Sequence, residues 1–97
     1  MVRRITWTSG AERIFSEILT FYYIRNGNKT YSRKLNSEIK QLLILLKKHP
    51  YLGKETDFED VRVLIVKDYK LFYRIVPEEI IVLMIWDCRQ NLDNLDI

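Results

Sequence analysis

Hydrophobic and polar positions follow two different periods along this chain of 97 residues, and the change of period divides it. Near the start, Ile5 and Trp7 alternate with Arg4, Thr6 and Thr8, which predicts a short strand over Arg4 to Thr8. Ser9-Gly10-Ala11-Glu12 then has the spacing of a capping box. In such a box the Ser9 hydroxyl accepts from the Glu12 amide and the Glu12 carboxylate reaches back. Ile14, Ile18 and Tyr22, flanked by Phe15, Leu19 and Phe21, make the apolar face of a first helix. Asn26-Gly27-Asn28 ends it, because Gly and Asn tolerate the left-handed backbone of a helix C-terminus.

A second helix is predicted from about Lys29 to Lys48, with Tyr31, Leu35, Ile39, Leu42, Leu43 and Leu46 at spacings of three and four. Pro50 and Gly53 stop it, and the tight join makes an antiparallel helical hairpin. After a polar, acidic connection from Lys54 to Asp60 the pattern turns to runs of β-branched and aromatic residues. Val61–Val66, Tyr69–Val76 and Ile80–Trp86 are three strands. They are separated only by Lys67-Asp68 and Pro77-Glu78-Glu79, so they form an antiparallel meander. The expected order is β-α-α-β-β-β. This is an α+β domain over residues 1–97, its antiparallel helical hairpin packed on a small, twisted, mainly antiparallel sheet.

Charge changes the picture more than composition does. The net charge of +3 hides an asymmetry: residues 1–50 hold 10 Lys/Arg against 3 Asp/Glu, and residues 51–97 hold 6 against 10, balances of +7 and −4. Lys29, Arg33, Lys40 and Lys47 fall on one stripe of the second helix, suited to phosphates or an acidic protein segment, although a stripe of this kind is more often a solvated face. Arg62, Arg74 and Arg89 lie in or at the ends of three adjacent strands and converge if the register allows. Tyr69 and Tyr73 interleave with them, placed either to stack on bases or to fill the sheet.

Other chemistry is excluded. One His and one Cys, His49 and Cys88, show no ligand spacing, and no glycine-rich phosphate loop is present, so no metal and no cofactor is expected. Trp7 and Trp86 read as core residues. The longest apolar run, Ile80 to Trp86, is far short of a membrane span, so a soluble, cytoplasmic protein is expected. The polar tail from Arg89 carries Leu92 and Leu95 as candidate docking side chains.

Ile5-Thr6-Trp7-Thr8 with its capped helix, the long second helix ending at Pro50, and Gly53 together resemble the RelE/ParE toxin superfamily. So do Val61-Arg62-Val63-Leu64, Tyr69-Lys70-Leu71-Phe72-Tyr73-Arg74-Ile75 and Ile85-Trp86-Asp87-Cys88-Arg89-Gln90-Asn91. The resemblance implies the growth-inhibiting toxin of a type II toxin–antitoxin pair, of plasmid-stabilisation type. Its partner would be a small antitoxin with an acidic C-terminal segment, and some members pair with themselves. Two activities occur in the superfamily: RelE-like mRNA cleavage on the ribosome, and ParE-like inhibition of DNA gyrase without cleavage. On the nuclease pattern Arg62 and Arg89 match the phosphate-binding arginines. Lys54, Glu55, Tyr73, Arg74 and Asn91 are auxiliary candidates. The His or Tyr that those nucleases carry beyond the last strand has no counterpart, since Gln90, Asn91 and Leu92 stand there and none shuttles protons near neutral pH. That departure favours the ParE-like activity. A ribosome-dependent nuclease and a toxin fold that has lost toxicity remain the alternatives.

Overall fold

The computed structural model describes residues 3–88. Strand β1 (Arg4–Trp7) leads into helix α1 (Ser9–Asn26), helix α2 (Thr30–Lys48) and a single 3-10 turn (Pro50–Leu52). Strands β2 (Lys54–Glu55), β3 (Val61–Val66), β4 (Tyr69–Ile75) and β5 (Glu79–Asp87) follow. The sheet order is β1-β5-β4-β3-β2. β2 to β5 pair antiparallel, whereas β1 lies parallel to β5 at the edge, with Arg4 opposite Glu79 and Trp7 opposite Val82. The predicted α+β order is present with one addition. The two-residue strand β2 lies inside the stretch read as a connection, too short to show a period.

The start of α1 differs from the capping-box reading. Thr8, one residue earlier than Ser9, is the N-cap: its hydroxyl accepts from the Ala11 N–H at 3.0 Å and its carbonyl from the Glu12 N–H at 3.0 Å. The reason is tertiary. The Thr8 N–H is tied to the Val82 carbonyl at 3.1 Å, so the residue leaving β1 already has the extended backbone that a cap requires. At the other end Gly27 adopts φ 74° and donates its N–H to the Tyr23 carbonyl, as the Asn-Gly-Asn pattern demands. Asn28 Oδ1 accepts from the Thr30 N–H at 3.0 Å and so opens α2.

Both helices cover one face of the sheet. Leu35, Ile39, Leu43 and Leu46 of α2 and Ala11, Phe15 and Tyr22 of α1 form one cluster with Tyr69, Leu71, Tyr73, Ile75, Ile80, Val82 and Ile85. The two helices are also stitched to each other, the Ser32 hydroxyl donating to the Leu19 carbonyl at 2.6 Å. Alternation along β4 is strict: Tyr69, Leu71, Tyr73 and Ile75 are buried, and Lys70, Phe72 and Arg74 point away from the helices. A bulge in β5 opposite the Phe72/Tyr73 step puts Val82 and Ile85, three apart, on the same buried face. Among the described residues no helix is long and apolar enough to cross a membrane.

Candidate functional site

The cross-strand register builds one row on the helix-covered face: Glu55, Arg62, Tyr73, Val82 and Trp7. At its β2 end lies Arg62. Its guanidinium donates to the Gly53 carbonyl at 2.7 Å and the Tyr51 carbonyl at 3.3 Å, pairs with Glu55 at 3.3 Å, and lies 4.9 Å from the Tyr51 ring centroid. Tyr73 is fully buried beside it. Its hydroxyl donates to the Pro50 carbonyl and accepts from the Gly53 N–H, both at 2.8 Å. Burial pushes the Tyr73 hydroxyl pKa up, with the Gly53 hydrogen bond and the Arg62 charge opposing in part. Gly53 is dictated by this packing, since a Cβ there would stand 2.7 Å from the Tyr73 hydroxyl oxygen and 2.8 Å from the Val63 carbonyl oxygen. The row therefore clamps the turn after α2 onto the sheet. Glu55, Asp57, Glu59 and Asp60 share the hollow beside Arg62. A site with this charge disfavours phosphate.

The other sheet candidates do not gather there. Arg74 pairs in register with Val61 and faces away from the helices, on the side opposite Arg62. Arg62 and Arg74 thus do not converge, because they sit one step out of phase and the pleat sends them to opposite faces. Lys54 pairs with Val63 and also lies on the outer side. Arg89 and Asn91, with Leu92 and Leu95, lie outside the described residues. Tyr69 and Tyr73 do not present rings for base stacking, being 1% and 0% exposed. The Tyr69 hydroxyl donates to that of Tyr22 at 3.2 Å, and burial raises its pKa far above the ordinary tyrosine value. His49, the single histidine, is the C-cap of α2, and among the described residues no cluster of His, Cys, Asp and Glu is placed to hold a metal.

On α2 the cationic stripe exists. Arg33 and Lys40 are exposed, Lys47 is half-buried, and the Lys29 ammonium lies 5.1 Å from the Tyr23 ring centroid. Its neighbours on the helix are mostly polar. An apolar dip beside it, about 220 Å³, is lined by Trp7, Phe15 and Leu43 together with Lys40.

Comparison with known proteins was made against this geometry. The family model for the ParE toxin of the type II toxin–antitoxin system, parDE, matches residues 5–92. The chain belongs to this family. It is a ParE-type toxin of a type II toxin–antitoxin system. Among solved structures, a chain of the chromosomal ParDE toxin–antitoxin system from P. aeruginosa superposes with a TM-score of 0.74 at 20% identity, over 89% of this chain and 96% of that one. A search of curated protein sequences gave no match.

Two surfaces of this ParE-type toxin were not foreseen from its sequence. β1 pairs only with Glu79–Val82, so the rest of β5 borders an open groove of about 440 Å³ under α1, lined by Ile14, Ile18, Phe21, Ile85 and Trp86 among others. Trp86, expected in the core, is 38% exposed there. The second surface is the bare face of the sheet, on which Ile65 is 64% exposed. Only the register and the side taken by the helical hairpin show it, because together they decide which side of each strand is covered.

Proposed function

We propose that this ParE-type toxin inhibits bacterial growth by binding DNA gyrase in the cytoplasm, without cleaving RNA, and that a cognate antitoxin with an acidic segment neutralises it. The observation that carries the first part is the state of Arg62. A nuclease needs that guanidinium free for a phosphorane, with a proton shuttle beside it. Here two carbonyls, Glu55 and the Tyr51 ring occupy it within an acidic hollow. The nearest tyrosine, Tyr73, is buried with its pKa raised, so it neither gives nor takes a proton near neutral pH. The missing His or Tyr after the last strand argues the same way. Under this reading Arg62, Glu55 and Tyr73 are structural, and Arg89, Arg74, Lys54 and Asn91 cut no message.

The antitoxin part is supported by family membership and by charge. The α2 stripe of Lys29, Arg33, Lys40 and Lys47 supplies the long-range attraction that speeds the approach of an acidic chain. Purified toxin is expected to block gyrase-catalysed supercoiling at micromolar concentration, while primer extension during induced expression shows intact message. Codon-positioned cuts that disappear in the Arg62→Ala plus Arg89→Ala variant would replace this reading with the ribosome-dependent nuclease.

A further inference from the structure

Helix α2 carries its charge in a way that works against its own stability. At 3.6 residues per turn, Lys29, Arg33, Lys40 and Lys47 stand within about 40° of arc along about 27 Å of helix. Lys29 belongs to the same ladder, since its carbonyl accepts from the Arg33 N–H at 2.9 Å. Lys48 and Lys34 widen the cationic face to about 140°, and Thr30, Ser37, Gln41 and Ile44 complete it. Glu38, the acid of α2, lies beyond that arc and is tied to Lys67 at 3.1 Å. No Asp or Glu stands three or four residues from any of the four stripe cations. Glu12 of α1 shares the apolar dip with Lys40 but forms no ion pair with it. Among the described residues none of the four has an ion-pair partner, and Lys29, Arg33 and Lys40 are exposed.

A face that serves only solubility has no need of this arrangement. Solvated helices interleave the two signs at spacings of three and four, as Arg13 and Glu17 do on α1, 3.7 Å apart. On α2, Lys29 and Arg33 are like charges one turn apart, which disfavours the helix. With Lys34 they also crowd the end where the helix dipole is already positive, and the first turn holds no acid to offset them. An anion laid along the helix turns each of these costs into an attraction.

The rest of the face selects the anion. Ile44 is its one large apolar side chain, so a protein segment is attracted there but finds no apolar centre to hold it. An anionic bilayer likewise finds too little apolar surface to insert. No aromatic ring lies on the arc for the bases of a single strand to stack on. What fits is a stiff, regularly spaced polyanion. Along about 27 Å the helix passes about eight base pairs of a duplex at ~3.4 Å each, which offers every cation a phosphate.

We infer that this face of α2 lies along the sugar–phosphate backbone of duplex DNA, with Lys29, Arg33, Lys40 and Lys47 each meeting a phosphate and no base sequence read. The inference goes beyond the gyrase reading and does not rest on it. Gyrase acts on duplex DNA, so a toxin bound to gyrase has this second partner beside it. An acidic antitoxin segment drawn to the stripe competes for the same cations.

The test uses the full-length toxin, free of antitoxin, and a fluorescein-labelled 20-base-pair duplex followed by fluorescence anisotropy. Two unrelated sequences are expected to bind within about threefold of each other. The expected slope of log affinity against log salt is about −3.6, four phosphates at about −0.9 each. Arg33→Gln combined with Lys40→Gln should lower affinity at least about tenfold at about 50 mM salt and bring the slope to about −1.8, with far-ultraviolet circular dichroism unchanged. Lys70→Gln combined with Arg74→Gln removes the same charge from the outer face of the sheet and should change affinity less than about threefold. Equal losses in the two variants overturn the inference, since they reduce the contact to net charge. Wild-type toxin that leaves the duplex free at about 100 μM protein in that low salt overturns it too. A 20-nucleotide single strand bound more tightly than the duplex overturns it in favour of single-stranded nucleic acid. Vesicles of equal phosphatidylserine and phosphatidylcholine, bound when the duplex is not, overturn it in favour of a membrane surface. Supercoiling blocked by a toxin that binds no duplex overturns the inference and leaves the gyrase reading standing. Duplex binding without that block does the reverse.

Discussion

The two faces of this sheet are built from the same strands and do opposite work. On the covered face, Tyr69, Leu71, Tyr73, Ile80 and Val82 are each no more than 1% exposed, and even the tyrosine hydroxyls have partners. On the bare face, one residue along each strand, Ile65 reaches solvent and Lys70 and Arg74 are exposed. The covered face holds the fold together, and the bare face leaves side chains in solvent. Apolar residues alone do not distinguish them; the difference lies in which side the helical hairpin occupies. Arg62 makes the same point for charge. It resembles a catalytic arginine in sequence, yet on the covered face it became a clamp, whereas Arg74 on the bare face stayed available.

This contrast can be broken most severely at Leu71, which is fully buried in the middle of β4. Leu71→Ala is expected to cost about 2–5 kcal/mol in urea denaturation, through lost transfer energy and the cavity left behind. Gly53→Ala should cost about 1–3 kcal/mol by overpacking, since the new methyl would collide with the Tyr73 ring and the Val63 carbonyl. A cost below about 0.5 kcal/mol would show that the turn is not clamped as described. Tyr73→Phe is expected to lose about 1–2 kcal/mol, because the buried Gly53 N–H and the Pro50 carbonyl both lose their partner.

A smaller effect comes from pH. Burial raises the Tyr69 and Tyr73 pKa values above 10.0, so these hydroxyls hold their protons in the folded chain at pH values where the unfolded chain releases them. The folded state then binds more protons than the unfolded state, and stability falls with rising pH. Their contribution is complete below about pH 10 and declines above it, by under about 1 kcal/mol per tyrosine at pH 10.5. Denaturation midpoints measured from pH 8 to 11 check this, and the Tyr73→Phe variant should show a shallower decline. At the bottom of the scale, Ile65→Thr is expected to change stability by under about 0.5 kcal/mol, since the residue is mostly exposed. A loss approaching that of Leu71→Ala would mean that the two faces do not differ in kind.

Much of the architecture was legible along the chain. The switch from a period near 3.6 to continuous β-branched runs separated the helical hairpin from the meander, and Asn26-Gly27-Asn28 and Pro50 placed the helix ends. These signals are local: they depend on backbone conformations that a few neighbouring residues decide. The candidate site was less legible. The α2 stripe was readable because helical spacing alone sets the angle between Arg33 and Lys40. By contrast, whether Arg62 and Arg74 share a face depends on how β3 pairs with β4, and a shift of one residue reverses every side chain. Thr8 took the cap from Ser9 for a related reason, through a bond to Val82 that lies more than 70 residues away.

The sequence by itself determined the elements, their order, the basic first half and the absence of a proton shuttle at Gln90-Asn91-Leu92. Only the tertiary structure decided that β1 lies parallel to β5, that Arg62 braces the turn at Gly53, and that one apolar face of the sheet stays open with cations at its rim. Helical periodicity and turn chemistry are written in adjacent residues. Strand register and the side on which helices pack are set by long-range pairing, and these decide which apolar residues become core and which stay exposed.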